Sequence, residues 1–346
     1  MLGEAERPNS IGGFFPLELS PGPKPAVSLF DLWVSNTRSH LCFHNARSAV
    51  HFLLEELAVK SVWLPAYICS EMSQAVAADG REVKYFPLSY DLTPVIGFMQ
   101  QHFRVGDAVV GVDYFGRAPG QAFIEFVRFR RDVLWVEDRA QAIRSGSVPW
   151  GDYVVYSPRK VAGVPDGGIL VGVSRDLPSF TPQLHSDLSF VRPALNRFEN
   201  PNGDWHAVYR EVEEAMSVSL LGMSRLSLTI LEHLDALRIQ EMRRTNFTYL
   251  KRQLGEYYLF KDREDSDFVP FGFPMRHADA GSFCEALRKR RIYIPRHWTR
   301  LPSPADQFSS EHQLAAELMT LPCDQRYSLA DMAYMVDAIR EHFKTS

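Results

Sequence analysis

VLWVEDRAQAIRSGSVPWGDYVVYSPRKVAGVPDGGILVGV, residues 133–173, is the stretch that decides how the rest of the chain is read. It contains the apolar runs VLWVE, YVVY and ILVGV, dense in β-branched or aromatic residues and separated by turn formers. That pattern predicts buried strands. The polar residues collect at the ends of these runs: Glu137 and Asp138 close the first, and Ser157 and Lys160 follow the second. In an open α/β sheet, ligands bind in the crevice beyond the strand ends. The stretch therefore predicts that an acid, an amide (Gln141), a hydroxyl and a lysine converge on one site.

Outward from this stretch, strand and helix signals alternate. A helix over 45–60 begins at Asn45, a favourable N-cap, and carries Val50, Leu53, Leu54 and Leu57 on one face. SVWLPAY (61–67), EVKYF (82–86) and AVVGVD (108–113) read as strands, with helices near 70–78 and over 121–130. Alternation from residue 45 to about residue 173 predicts an α/β fold with a doubly wound, mostly parallel sheet. The Pro- and Gly-rich residues 1–28 predict an irregular arm whose Phe14 and Phe15 pack on another part of the protein, with a partner subunit as one candidate. Residues 175–205 read as a long loop region and 206–254 as mostly helical, leading into a small C-terminal α+β domain. That domain has strand candidates at 267–274 and 292–295 and helices at 279–290 and 328–343. The last helix opens on the capping-box pair Ser328 and Asp331. The expected divisions are an arm (1–28), a large domain (29–235) and a small domain (236–346).

Composition narrows the function classes. With 45% hydrophobic residues the chain can bury a sizeable core, and a net charge of -4 argues against a nucleic-acid partner. The four cysteines, Cys42, Cys69, Cys284 and Cys323, form no CxxC pair, so neither a metal site nor a disulfide framework is expected, and buried free thiols are. The start lacks an apolar signal-peptide core and no run is long enough to span a membrane, which leads to the expectation of a soluble cytoplasmic protein.

The chemistry of the opening stretch is more specific. A lysine among apolar segments is costly to desolvate, and one whose pKa is depressed is a nucleophile suited to Schiff-base formation. A carboxylate such as Asp138 beside a pyridine nitrogen keeps that nitrogen protonated, the condition under which pyridoxal phosphate (PLP) acts as an electron sink. Gln141, three residues on, shares a face with Asp138 in a helical turn and can bond a ring hydroxyl. Ser157 can donate to a phosphate, and the helix start at Asn45 to Ser48 supplies backbone N–H groups. Asp166-Gly167-Gly168 predicts a tight turn back to the sheet.

VEDRAQA, KVAGVPDGG, NARSAV, LPAYICS, VDYFGRAPG and GMSRLSLTILEHLDALRIQEMRRTNFTYL together resemble the motifs of the DegT-type sugar aminotransferases, PLP-dependent enzymes of fold type I, over most of the chain. The resemblance implies a PLP-binding large domain, Lys160 as the Schiff-base lysine, Asp138 as the partner of the pyridine nitrogen and Gln141 beside the cofactor. It further implies a phosphate cradle at Ala46 and Arg47, and Tyr67 as the aromatic nearest to the ring-stacking position, for which Cys69 is the alternative. The family's phosphate-binding serine falls on Val155, with Ser157 as the substitute, and its crossing asparagine falls on Met223. The implied activity moves an amino group, from glutamate by resemblance, to a keto sugar. That sugar is expected to be nucleotide-linked, for cell-surface polysaccharide or secondary-metabolite synthesis, and the enzyme to be a homodimer. Arg296, His297 and Trp298 are candidates to contact the substrate. Two alternatives stay open: a PLP enzyme of other reaction type (a lyase, or a dehydratase, where histidine rather than Lys160 is expected), and a non-catalytic binding or regulatory relative.

Overall fold

The computed structural model describes residues 10–20, 22–146, 148–184, 188–201, 203, 205–261 and 268–345. Its strands in chain order are β1 (Ile11–Gly12), β2 (Ser39–Phe43), β3 (Ser61–Pro65), β4 (Glu82–Phe86), β5 (Ala108–Val112), β6 (Leu134–Asp138), β7 (Tyr153–Tyr156), β8 (Gly168–Gly172), β9 (Gln183–Leu184), β10 (Leu221–Gly222), β11 (Phe273–Arg276), β12 (Ile292–Tyr293) and β13 (Leu318–Leu321). The helices are α1 (Leu29–Val34), α2 (Ala46–Glu56), α3 (Ser70–Ala77), α4 (Ile96–His102), α5 (Gln121–Phe129), α6 (Arg192–Glu199), α7 (His206–Ala215), α8 (Arg225–His233), α9 (Ala236–Leu254), α10 (Ala280–Arg288), α11 (Ser309–Glu317) and α12 (Leu329–Thr345).

The main sheet has nine strands in the order β4-β3-β5-β6-β7-β8-β2-β10-β9. The β4 to β7 pairings are parallel, whereas β8 runs antiparallel to both β7 and β2. Both faces are covered, which is why the apolar runs of the opening stretch are continuous. In β8, Leu170 joins the core that contains α2, while Ile169 and Val171 join the core that contains Trp33 of α1 and Leu231 of α8. Tyr153 and Val155 of β7 face the first core, and Val154 and Tyr156 the second.

Helix α2 begins where expected. The Asn45 side chain caps it by accepting from the Ser48 N–H at 2.8 Å, and Ala49, Val50, Phe52, Leu53 and Leu54 are buried against the sheet. The Asp166-Gly167-Gly168 turn is tied to both neighbours. Asp166 accepts from Ser224 N (2.8 Å), Ser224 Oγ (2.7 Å) and Ser227 Oγ at the start of α8, and Gly167 N donates to the His44 carbonyl at 2.7 Å. Gly167 needs its φ of +137°, a conformation that a side chain would strain.

Several expectations change. Strand β2 has no continuous apolar run, being half exposed, and it was not anticipated. Residues 175–205 are not all loop, because α6 starts at Arg192 with Pro193 in its first turn, where proline's missing N–H costs nothing. The helical reading of 206–254 breaks at 216–224, which crosses over the start of α2 and contributes β10. The strand expected at 267–274 lies later, at Phe273–Arg276, and Asp267 is outside the described residues, as are residues 1–9 of the arm. The rest of the arm packs on its own chain. β1 pairs with β12, Phe14 stacks on Tyr209 with centroids 4.4 Å apart, and Phe15 lies under the Arg326 guanidinium at 3.9 Å.

Candidate active site

The parallel strands end along one edge, where the chain leaves β6 at Asp138 and β7 at Tyr156. Beyond that edge lies a cavity of about 680 Å³, with Asp138, Gln141, Ser157, Lys160, Asn45, Ala46 and Arg47 in its wall. The sequence placed these residues far apart. Register brings them together, since Asp138 pairs with Val155 of β7, and Asn45 bridges Gly167 ahead of β8.

Asp138 is 6% exposed and takes one hydrogen bond from a neighbour's backbone, Ala140 N at 2.8 Å. Burial raises its pKa, and the Lys160 charge opposes that rise. The turn after Asp138 orients Gln141, whose Oε1 accepts from Phe115 N at 2.9 Å while its buried Nε2 has no partner among the described residues. An acidic–basic cluster braces this turn from below. Glu137, fully buried, accepts from Arg139 Nε (2.5 Å), Trp150 N (2.7 Å) and Gly151 N (3.1 Å). Asp113 accepts from Trp150 Nε1 at 3.0 Å, and burial, then the Glu137 charge, pushes its carboxyl well above the usual range. Nothing in the sequence pattern marked Asp113 or Arg139, because the network is assembled only when β5 and β6 pair.

Ser157 follows β7 and holds the N-cap position of the short turn Pro158–Lys160. Its hydroxyl, on a residue that is 7% exposed, makes no cap hydrogen bond, has no hydrogen-bond partner among the described residues and borders the cavity. Val155, by contrast, is wholly buried inside β7 and cannot reach the cavity. Lys160 is exposed at the cavity wall. This corrects the expectation of a lysine desolvated by apolar neighbours: the turn lifts it off the strand and out of the core. Met223 is buried, with its backbone N–H on the Cys42 carbonyl, and is not part of the wall.

Other candidates also need correcting. Tyr67 does not face the cavity. It is fully buried, with its ring 5.9 Å from that of Tyr114 and 5.7 Å from that of Trp298, and Ile68, Cys69 and Met72 provide the wall on this side. Arg296 turns away as well, donating Nη2 to the Ala316 carbonyl at 2.7 Å. His297 and Trp298 do border the cavity. Arg47 faces it too, yet its Nη2 is engaged by the Met216 carbonyl at 2.9 Å. Cys69 and Cys284 are half-buried and border the cavity rather than lying in the core, and all four cysteines are free.

No protein-family profile matches the chain, and no curated protein matches it in sequence. Solved structures do match. A DegT/DnrJ/EryC1/StrS aminotransferase from Brucella abortus superposes with a TM-score of 0.63 at 14% identity, over 90% of this chain and 88% of that one. A protein from Streptococcus pneumoniae described as a sugar aminotransferase, in its PLP form, gives 0.68 at 14% identity over 95% and 97%. DesI, solved in the presence of its TDP-sugar product, gives 0.62 at 15% over 89% and 81%. The chain has the fold of the DegT-type aminotransferases. In that fold type I architecture, the large mostly parallel sheet carries the cavity at its strand ends. No helix among the described residues is long and apolar enough to cross a membrane.

Proposed function

We propose that the chain is a PLP-dependent aminotransferase that transfers an amino group from an amino acid, glutamate by the resemblance, to a keto sugar. One observation carries this reading: Asp138, Gln141, Ser157 and Lys160 border one cavity at the carboxyl ends of the strands. The donor set fits PLP. Among the described residues the buried Gln141 Nε2 and the Ser157 hydroxyl have no hydrogen-bond partner, and the Asp138 carboxylate is buried beside the Lys160 charge. Solved relatives in PLP form support the cofactor, and the TDP-sugar of DesI supports a nucleotide-linked acceptor.

When bound, PLP supplies an electron sink for the pair released at the substrate α-carbon. The protein's own groups do the rest. Ser157 and the first N–H groups of α2 bind phosphate. Asp138 would hold the proton on the ring nitrogen, and Gln141 Nε2 would donate to a ring oxygen. Lys160 Nζ takes the proton from the α-carbon of the bound amino acid and later returns one, acting as general base and then general acid. A homodimer is part of this reading, supported by the exposed Leu221, Leu226 and Leu237 on β10, α8 and α9.

The test is a PLP titration followed by visible absorbance, borohydride reduction and mass mapping. A protein-bound adduct on Lys160, absent in Lys160→Ala, is expected. Transfer from glutamate to a keto sugar then separates amination from elimination. A wild type that stays colourless would sink the reading in favour of a binding module.

A further inference from the structure

A second charged group occupies the wall of the same cavity. From helix α7, Glu213 reaches back toward the start of α2 and forms a two-bond fork with Arg159: Nη1–Oε2 at 2.8 Å and Nη2–Oε1 at 3.1 Å. Arg47 Nη2 lies 3.9 Å from Glu213 Oε1. Arg47, Arg159 and Glu213 border the cavity together with Ser157, Asn45 and Ala46. Arg159 immediately precedes Lys160, so the fork lies beside the residues assigned to the chemistry.

The arrangement is that of an anion site holding an internal anion. Arg47, Arg159 and Lys160 bring three positive charges to the locus. The planar guanidinium fork that takes a carboxylate takes a phosphate with the same two parallel bonds. The Ser157 hydroxyl and the start of α2, which also favours anions, border the same space. Burial acts upward on Glu213, but the Arg159 charge and hydrogen bonds, with Arg47, hold its pKa at about 2, so it is ionised. Helix α7 is held by the buried Val212 and by Tyr209 stacked on Phe14, so the Glu213 carboxylate, on a half-buried side chain, leaves the fork by side-chain rotation with α7 in place.

We propose that Arg159, Arg47, Ser157 and the start of α2 form a phosphate-monoester site that Glu213 closes, and that a phosphate-bearing ligand enters by displacing Glu213. The inference rests on the PLP reading for the identity of that ligand, while the phosphate chemistry stands by itself. The experiment titrates the full chain with inorganic phosphate, read as a thermal shift, in wild type, Glu213→Gln, Glu213→Asp and Arg159→Gln. Glu213→Gln removes the competing charge and is expected to tighten phosphate about tenfold, ~1.4 kcal/mol. Glu213→Asp retracts the carboxylate and gives a smaller gain, which keeps the test available if the amide variant folds poorly. Arg159→Gln loses most of the response. Parallel titrations with PLP, pyridoxal and a nucleoside diphosphate identify the source. A gain for PLP but not for pyridoxal assigns the site to the cofactor, and a gain confined to the nucleotide assigns it to the substrate. Unchanged or weaker phosphate binding in folded Glu213 variants would overturn the proposal and leave the fork a structural ion pair. A failed cofactor reading looks different: no variant gains visible absorbance with PLP, yet the phosphate gain survives.

Discussion

Gly168→Ala tests the link between the sheet and the site. A Cβ at Gly168 would lie 2.2 Å from the Asn45 carbonyl carbon and oxygen and 2.4 Å from Ala46 N, all backbone atoms. Non-bonded carbons settle at about 3.5–4.0 Å, so the two segments must part by roughly 1.3–1.8 Å. Neither yields easily. β8 is in register with β2 from Ser39↔Gly172 to Phe43↔Gly168 and with β7 on its other side, while α2 is anchored by its buried face and by the Asn45 cap. Overpacking of this kind costs about 1–3 kcal/mol. At about 2 °C per kcal/mol for a large chain, the melting temperature should fall by roughly 2–6 °C. The larger effect should be functional, because a displacement of about 1 Å at a binding constellation can cost on the order of 100-fold. Thermal unfolding and PLP titration, run side by side, measure both. Gly255→Ala is the control, since its Cβ meets nothing within 4 Å. A Gly168→Ala protein with wild-type melting and PLP affinity, or a control equally impaired, would refute the close approach as the element that places the start of α2.

Two further perturbations probe the surroundings. Arg243 is 1% exposed and donates to Gln325 Oε1 (2.8 Å) and to the carbonyls of Val161 (3.0 Å), Pro270 (3.1 Å) and Phe271 (3.2 Å). Arg243→Met strands these acceptors and should cost about 3 kcal/mol or more, seen as a lower urea midpoint at unchanged slope; a midpoint within error of wild type would contradict it. Burial, aided by the Lys160 charge, pulls His297 down to about 3 from its ordinary 6.5. Between those values the folded chain keeps it neutral while the unfolded chain protonates it, so its contribution is intact above pH 6.5 and declines as pH falls toward 3. His297→Gln should flatten the dependence of melting temperature on pH in that window, and parallel curves for the two proteins would exclude the effect.

Legibility followed locality. Asn45 as a cap, the strands around VLWVE, YVVY and ILVGV, and the Ser328–Asp331 helix start are all present in the folded chain, because each depends on neighbours a few residues away. Strand β2 escaped notice because it is half exposed and carries no continuous apolar run. Tyr67 was misread for a related reason: the chain past β3 buries its ring and gives the cavity wall to Ile68 and Cys69, a choice made by packing against Tyr114 and Trp298.

The residues around Val133–Val173 by themselves determined which polar groups stand at strand ends, since a buried strand has room for them nowhere else. Tertiary structure alone decided which of those groups meet and what faces them. Glu213 is 53 positions beyond Lys160 in the chain and joins the cavity only because 216–224 folds back over α2. Charge pairing of that kind depends on distance in space, and spacing along the sequence carries no record of it.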